Sequence, residues 1–149
     1  MNSQNKIESW LVANHFLSEQ HLPVNSQGEQ ALILAARQNR SDVLSYLLQQ
    51  NPDLSALDQY GNNALWAACF AESFDCIALL LEAGIKIDYQ NPSGATALIY
   101  ASSSGKTSVV EQLLLAGANP KLTTQDDFSA LDLAANRQCL QLLRKAVTH

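Results

Sequence analysis

The sequence predicts an all-α solenoid of stacked helix-turn-helix units with β-turn loops, and three observations predict it. The first is a period: Gly28, Gly61 and Gly94 stand 33 residues apart, and one further step reaches Asp127. The second is a pair of short apolar helical patterns inside each period. The third is a residue tolerant of the left-handed conformation that ends a helix, Asn51, Gly84 or Gly117, again 33 apart.

Taken in chain order, residues 1–27 read as an amino-terminal capping helix and loop. Ile7, Trp10, Leu11 and Phe16 give a helix across Ile7–Phe16 its apolar side, and Trp10-Leu11 lies 33 residues before Val43-Leu44. Val24 and Asn25 are in phase with Leu57 and Asp58.

Full repeats follow at 28–60, 61–93 and 94–126. Each opens alike, as Gly28-Glu-Gln-Ala-Leu-Ile-Leu-Ala-Ala36, Gly61-Asn-Asn-Ala-Leu-Trp-Ala-Ala-Cys69 and Gly94-Ala-Thr-Ala-Leu-Ile-Tyr-Ala-Ser102. Leu32, Leu65 and Leu98 fall in phase, and small residues one turn away (Ala35, Ala68, Ala101) let two helices approach closely. A second amphipathic helix carries Val43-Leu44 and Leu47-Leu48, then Cys76-Ile77 and Leu80-Leu81, then Val109-Val110 and Leu113-Leu114. Neither helix is long enough to persist alone, so the units must stack.

Residues 127–149 read as a shortened carboxy-terminal capping repeat, opening Asp127-Phe-Ser-Ala-Leu-Asp-Leu-Ala-Ala135. Leu142-Leu143 lies 62 rather than 66 residues after Leu80-Leu81, which predicts a helix pair near Ala130–Lys145 with four residues missing from its inter-helix turn. The whole chain is expected to be a single domain.

A short helix, a second short helix and a β-turn at this period resemble the ankyrin repeat family. The resemblance spans roughly Gly28 to Leu143, is best in Gly94–Ser102, and continues in Gly105-Lys106 and in Leu113-Leu-Leu-Ala-Gly117-Ala118-Asn119. The sequence departs from the family in a regular way. Alanine (Ala31, Ala64, Ala97, Ala130) replaces the usual proline, and Ile33, Trp66, Ile99 and Asp132 replace the usual histidine. Losing a proline whose φ is preset for the first helical turn implies less rigid loops.

Composition narrows the function classes. With 149 residues and 47% hydrophobic side chains the chain has ample material for a core, and its formal charge is −5. The nine Lys and Arg are scattered, so the field that would attract a nucleic acid is missing. Met1–Asn14 does not read as an export signal, and apolar runs such as Ile77 to Leu81 are far below membrane-spanning length, so no membrane partner is expected. Three cysteines at irregular spacing suit a reducing, cytoplasmic setting.

Sites of chemistry fare poorly. Ser104-Gly105-Lys106-Thr107 ends like a phosphate-binding loop, but Tyr100 stands where the loop needs its first glycine, and Gly105 is in register with the helix-helix turns at Asn39 and Glu72. His15, His21 and His149 are too far apart in sequence to make a metal motif with any cysteine pair. Cys69 and Cys76 occupy apolar helix positions and read as small hydrophobes. Asp58, Asp88, Asp126 and Asp127 fall in turns, where aspartate bonds its own backbone. No catalytic residue, metal or cofactor is expected.

The resemblance instead implies a protein-binding module, adaptor or inhibitor-like, monomeric in isolation, whose partner docks in a concave groove made by turn tips and the exposed side of each first helix. Carried onto this sequence, those positions are Gln27, Glu29, Arg37 and Gln38 in the first repeat, Gln59, Tyr60, Asn62 and Phe70 around the second, and Ser93, Ser103, Ser104, Asp126 and Phe128 beyond it. Tyr60, Phe70 and Phe128 are the expected anchors, because aromatic rings remove much apolar area from water at small rotamer cost. Local packing against a neighbouring turn is the other reading of Tyr60 and Phe128, and Trp66 is expected to be mostly buried. An unrecognised carboxylate site and a self-associating structural unit are the alternative functions.

Overall fold

The computed structural model describes residues 3–16, 25 and 29–148. Contacts divide the chain into two compact units, Met1–Ile85 and Lys86–His149.

In the first unit the described helices are α1 (Ser3–Ala13), α2 (Ala31–Arg37), α3 (Ser41–Leu48), α4 (Ala64–Phe70) and α5 (Phe74–Glu82). The first helices of successive repeats, α2 and α4, pack together, as do the second helices α3 and α5. Ala35 and Ala68 are fully buried, as the small-residue phase predicts, and Leu44, Leu65, Ile77 and Leu80 fill the interior. Helix α1 packs on α3, taking the place a preceding second helix would hold. It buries Ile7, Trp10 and Leu11, and the Trp10 ring stacks on Phe16 with centroids 5.7 Å apart.

The period in sequence is also a period in backbone conformation. Asn39, Glu72 and Gly105, each between the two helices of its repeat, have φ of 57°, 52° and 70°. Gly61, Gly94 and Asp127, at the turn tips, have 81°, 84° and 70°. Gly94 has a second reason, beside its positive φ, to lack a side chain: a Cβ there would lie 2.9 Å from the Gln125 backbone nitrogen.

Helix entry is set by side-chain caps where proline is absent. Ala64 and Ala97 are the first helical residues of α4 and of α6 (Ala97–Ser103). Before them Asn63 Oδ1 accepts from the Trp66 N–H at 3.3 Å, and Thr96 Oγ1 accepts from the Ile99 N–H at 3.1 Å. Both capping residues are buried. Each cap contributes about 1 kcal/mol, so these two entry turns are held by another device in place of the one that is missing. Gln30, ahead of α2, makes no such side-chain bond.

The second unit contains α6, α7 (Thr107–Leu115) and α8 (Arg137–Val147), with α7 packed on both neighbours. Here the structure departs from the expected pair near Ala130–Lys145. Residues 130–133 form a turn rather than a first helix. Leu131 and Ala134 are consequently only half-buried, unlike their counterparts Leu98 and Ala101. Cys139 and Leu143, the buried residues of α8, follow Val109 and Leu113 by 30 rather than 33. Three residues are therefore missing, not four, and they are missing between Ala135 and Asn136, where the earlier repeats have the end of the first helix and its inter-helix turn. Local bonds close the shortened segment: the Asp132 carboxylate accepts from the Ser129 N–H at 2.9 Å, and Ser129 Oγ accepts from the Asp132 N–H at 3.2 Å. Ser102 then ties it to α6, its buried hydroxyl donating to the Ala130 carbonyl at 2.6 Å and its own carbonyl accepting from the Ala135 N–H at 3.0 Å.

Candidate protein-interaction surface

Four residues 33 apart, Asn25, Asp58, Asn91 and Thr124, build turn tips of one design. The N–H of each donates to the carbonyl four residues on, Glu29, Asn62, Ala95 or Phe128, at 2.9 Å in every case. The side-chain oxygen of each accepts the N–H of that same residue, at 2.9, 3.0, 3.0 and 3.2 Å. Asp58 is thus a turn-former bonded to its own backbone, also accepting from the Tyr60 N–H at 2.8 Å. Identical scaffolding leaves the intervening side chains free to differ from tip to tip, which is what a recognition surface needs.

In the first unit the expected contact residues divide into groups. Glu29, Arg37 and Gln59 line one cavity of about 530 Å³, together with Gln30, Ile33, Leu34, Leu57 and Asp58. Arg37 Nη2 lies 3.5 Å from Asp58 Oδ2, joining the end of α2 to the next tip. Tyr60 extends from that tip at 69% exposure, and Phe70, the last residue of α4, is 61% exposed. Asn62 is half-buried and its backbone is engaged with Asp58. Gln38 is exposed, but its carboxamide accepts from Trp10 Nε1 at 2.7 Å and donates to Asn14 Oδ1 at 3.1 Å, so it fastens the capping helix. Gln27 lies outside the described residues, as do His21 and His149. Trp66 is partly buried.

In the second unit Ser93, Ser104, Asp126 and Phe128 are exposed, Phe128 at 48%. Ser93 sits at a tip whose carbonyl accepts from the Gln125 N–H at 2.9 Å, and Ser103 donates its hydroxyl to the Tyr100 carbonyl one turn back at 3.0 Å. Gly105 closes a helix-helix turn: its N–H donates to the Ser102 carbonyl at 3.1 Å and its carbonyl accepts from Asn136 Nδ2 at 3.1 Å. That is the structural role its register predicts for Ser104-Gly105-Lys106-Thr107.

Cys69, Cys76 and Cys139 are buried and in no disulfide among the described residues. Burial pushes the Cys76 thiol above its ordinary range, which disfavours the thiolate a nucleophile requires. Among the described residues no group of three His, Cys, Asp or Glu could hold a metal ion, and no helix is long and apolar enough to cross a membrane. Sequence reasoning missed Leu57, which is 42% exposed and lines the cavity. It also missed exposed Phe74 and Leu115, the latter at 83%.

The family models for ankyrin repeats match residues 2–91, as three copies, and residues 93–125, as one further repeat. The chain belongs to the ankyrin repeat family. Its fold is accordingly an all-α ankyrin solenoid. It is 34% identical over 125 residues to a probable E3 ubiquitin-protein ligase of Oryza sativa subsp. japonica, with 80% of this chain and 25% of that protein covered. It is 34% identical to the nuclear factor NF-kappa-B p105 subunit of Mus musculus, covering 77% of this chain and 12% of that one. The crystal structure of the ankyrin repeat domain of Bcl-3, a member of the IkappaB protein family, superposes with a TM-score of 0.76 at 30% identity, over 80% of this chain and 53% of that one. The chain spans about a quarter or less of the two curated relatives. Ankyrin repeats are protein-protein interaction modules and generally non-catalytic.

Proposed function

We propose that the chain is an adaptor- or inhibitor-like module that binds one protein partner on the concave side of its repeats, with Tyr60 and Phe70 as anchors and the polar turn tips as selectors. The observation that carries the reading is the exposure of these two rings, 69% and 61%, in a unit that buries Leu44, Leu65, Ile77 and Leu80. Covering two such rings removes a large apolar area from water, and aromatic anchors commonly dominate interface energetics. The turn tips support the same reading, since the same hydrogen-bond pattern recurs at each, with Glu29, Gln59 and Tyr60 on tips of the first unit and Ser93 and Asp126 on tips of the second.

The test is the double variant Tyr60→Ala/Phe70→Ala. Its circular-dichroism spectrum stays near that of the wild type, while calorimetric titration with the partner recovered by affinity purification shows binding weakened by at least about 2 kcal/mol. The control pair Gln49→Ala/Glu82→Ala, exposed at the ends of α3 and α5, changes affinity little. Equal losses from both pairs would place the docking face elsewhere, and unfolding of the aromatic variant would make the rings structural.

A further inference from the structure

We propose that the partner segment entering the cavity of the first unit is cationic, presenting one aliphatic side chain flanked by Lys or Arg. This rests on the docking function above and narrows it to a peptide chemistry.

The cavity supplies the apolar half. Of its apolar lining residues Ile33 and Leu34 are buried in the wall and Leu57 faces the opening, around a volume of about 530 Å³. Leu57 keeps 42% of its surface exposed, so an aliphatic side chain seated there removes apolar surface from water on both partners.

Charge supplies the other half. Glu29 and Asp58 line the same cavity with one opposing guanidinium, Arg37, which reaches Asp58 only at 3.5 Å. The imbalance extends beyond the cavity: the first unit holds nine acidic and three basic residues, whereas the second holds five and six. Of the three basic residues, Arg40 is committed to Asp42 through two bonds of 2.9 and 3.0 Å. A cationic segment approaching this unit is drawn in by the field and meets two carboxylates beside an apolar lining. An acidic segment is repelled, and it would have to take Arg37 from Asp58.

The experiment titrates the full chain with fluorescent peptides of about twelve residues, a length matched to extended groove binding. All carry a central leucine, flanked by Lys and Arg, by Ser, or by Glu. The cationic peptide binds about tenfold or more tighter than the Ser peptide, the Glu peptide binds most weakly, and about 0.5 M salt removes most of the difference. Glu29→Gln weakens the cationic peptide by about fivefold, the value of one exposed charge pair at contact distance in water. Arg37→Ala tightens it by a similar factor, because it removes the competing cation. The inference is overturned if the Glu peptide binds as well as the cationic one, if Arg37→Ala weakens cationic binding, or if the cationic peptide does not bind. In each of these cases the Tyr60/Phe70 titration with the purified partner can still succeed, so the narrower claim and the docking function fail separately.

Discussion

Gly94→Ala offers the most direct measure of how closely neighbouring turn tips approach in the second unit. Gly94 has φ 84°, so alanine there meets left-handed strain of about 1–2 kcal/mol, offset by about 0.4–1 kcal/mol because the substitution stiffens the unfolded chain. The new Cβ also stands 2.9 Å from the Gln125 nitrogen and 3.1 Å from two backbone atoms of Thr124. Those neighbours are backbone and cannot swing aside as a side chain would. Relief has to displace the Gln125 N–H from the Ser93 carbonyl it meets at 2.9 Å, a bond worth about 0.5–1.5 kcal/mol. The total expected loss is about 2 kcal/mol. Gly84→Ala is the matched control, since Gly84 has φ 98° but nothing within 4 Å of its absent Cβ, and its loss is the strain less the same unfolded-chain offset, about 1 kcal/mol. Urea unfolding of the two variants and the wild type, followed by circular dichroism, gives the difference. If Gly94→Ala costs no more than Gly84→Ala, the tips are not in the close contact described.

Two further outcomes follow from the core. Leu65→Ala, at a fully buried position of α4, costs about 2–5 kcal/mol in the same urea assay, and a change below about 0.5 kcal/mol would contradict the packing of α2 on α4. A thiol-specific colorimetric reagent labels none of Cys69, Cys76 and Cys139 in the native protein and all three in denaturant; fast labelling of the native chain would contradict their burial.

Most of the fold was legible because burial in this chain repeats at a fixed interval. Leu65 and Leu98, Ala68 and Ala101 declare their environment by recurring, and recurrence needs no knowledge of the neighbours. The last repeat misled for the same reason. Ala130, Leu131 and Ala134 keep the pattern of a first helix although the chain that follows is three residues short, and the bonds between Ser129 and Asp132 close a turn instead. Side-chain pairing across repeats was not legible either. Gln38 is in phase with half-buried Ala71 and exposed Ser104, and only the placement of α1 shows that it holds Trp10 and Asn14. The cavity beside Leu57 is a property of two elements meeting, to which the sequence of neither points. Tyr60, Phe70 and Phe128 could be placed on the surface from register, since their phase lies outside the recurring apolar set.

The bond from Ser102 to Ala130 bears on how freely such units could be rearranged. Residues in phase with Ser102 are Ala36 and Cys69, neither of which brings a hydroxyl. A chimaera that placed the second repeat's opening helix ahead of the final segment would keep every leucine and alanine in position, yet it would offer the Ala130 carbonyl no hydroxyl donor in a dry interior, where an unmet acceptor costs about 1–3 kcal/mol. The modules look interchangeable by their apolar residues. Their order is written in a few polar ones, so a rebuilt array has to carry the serine along with the unit it fastens.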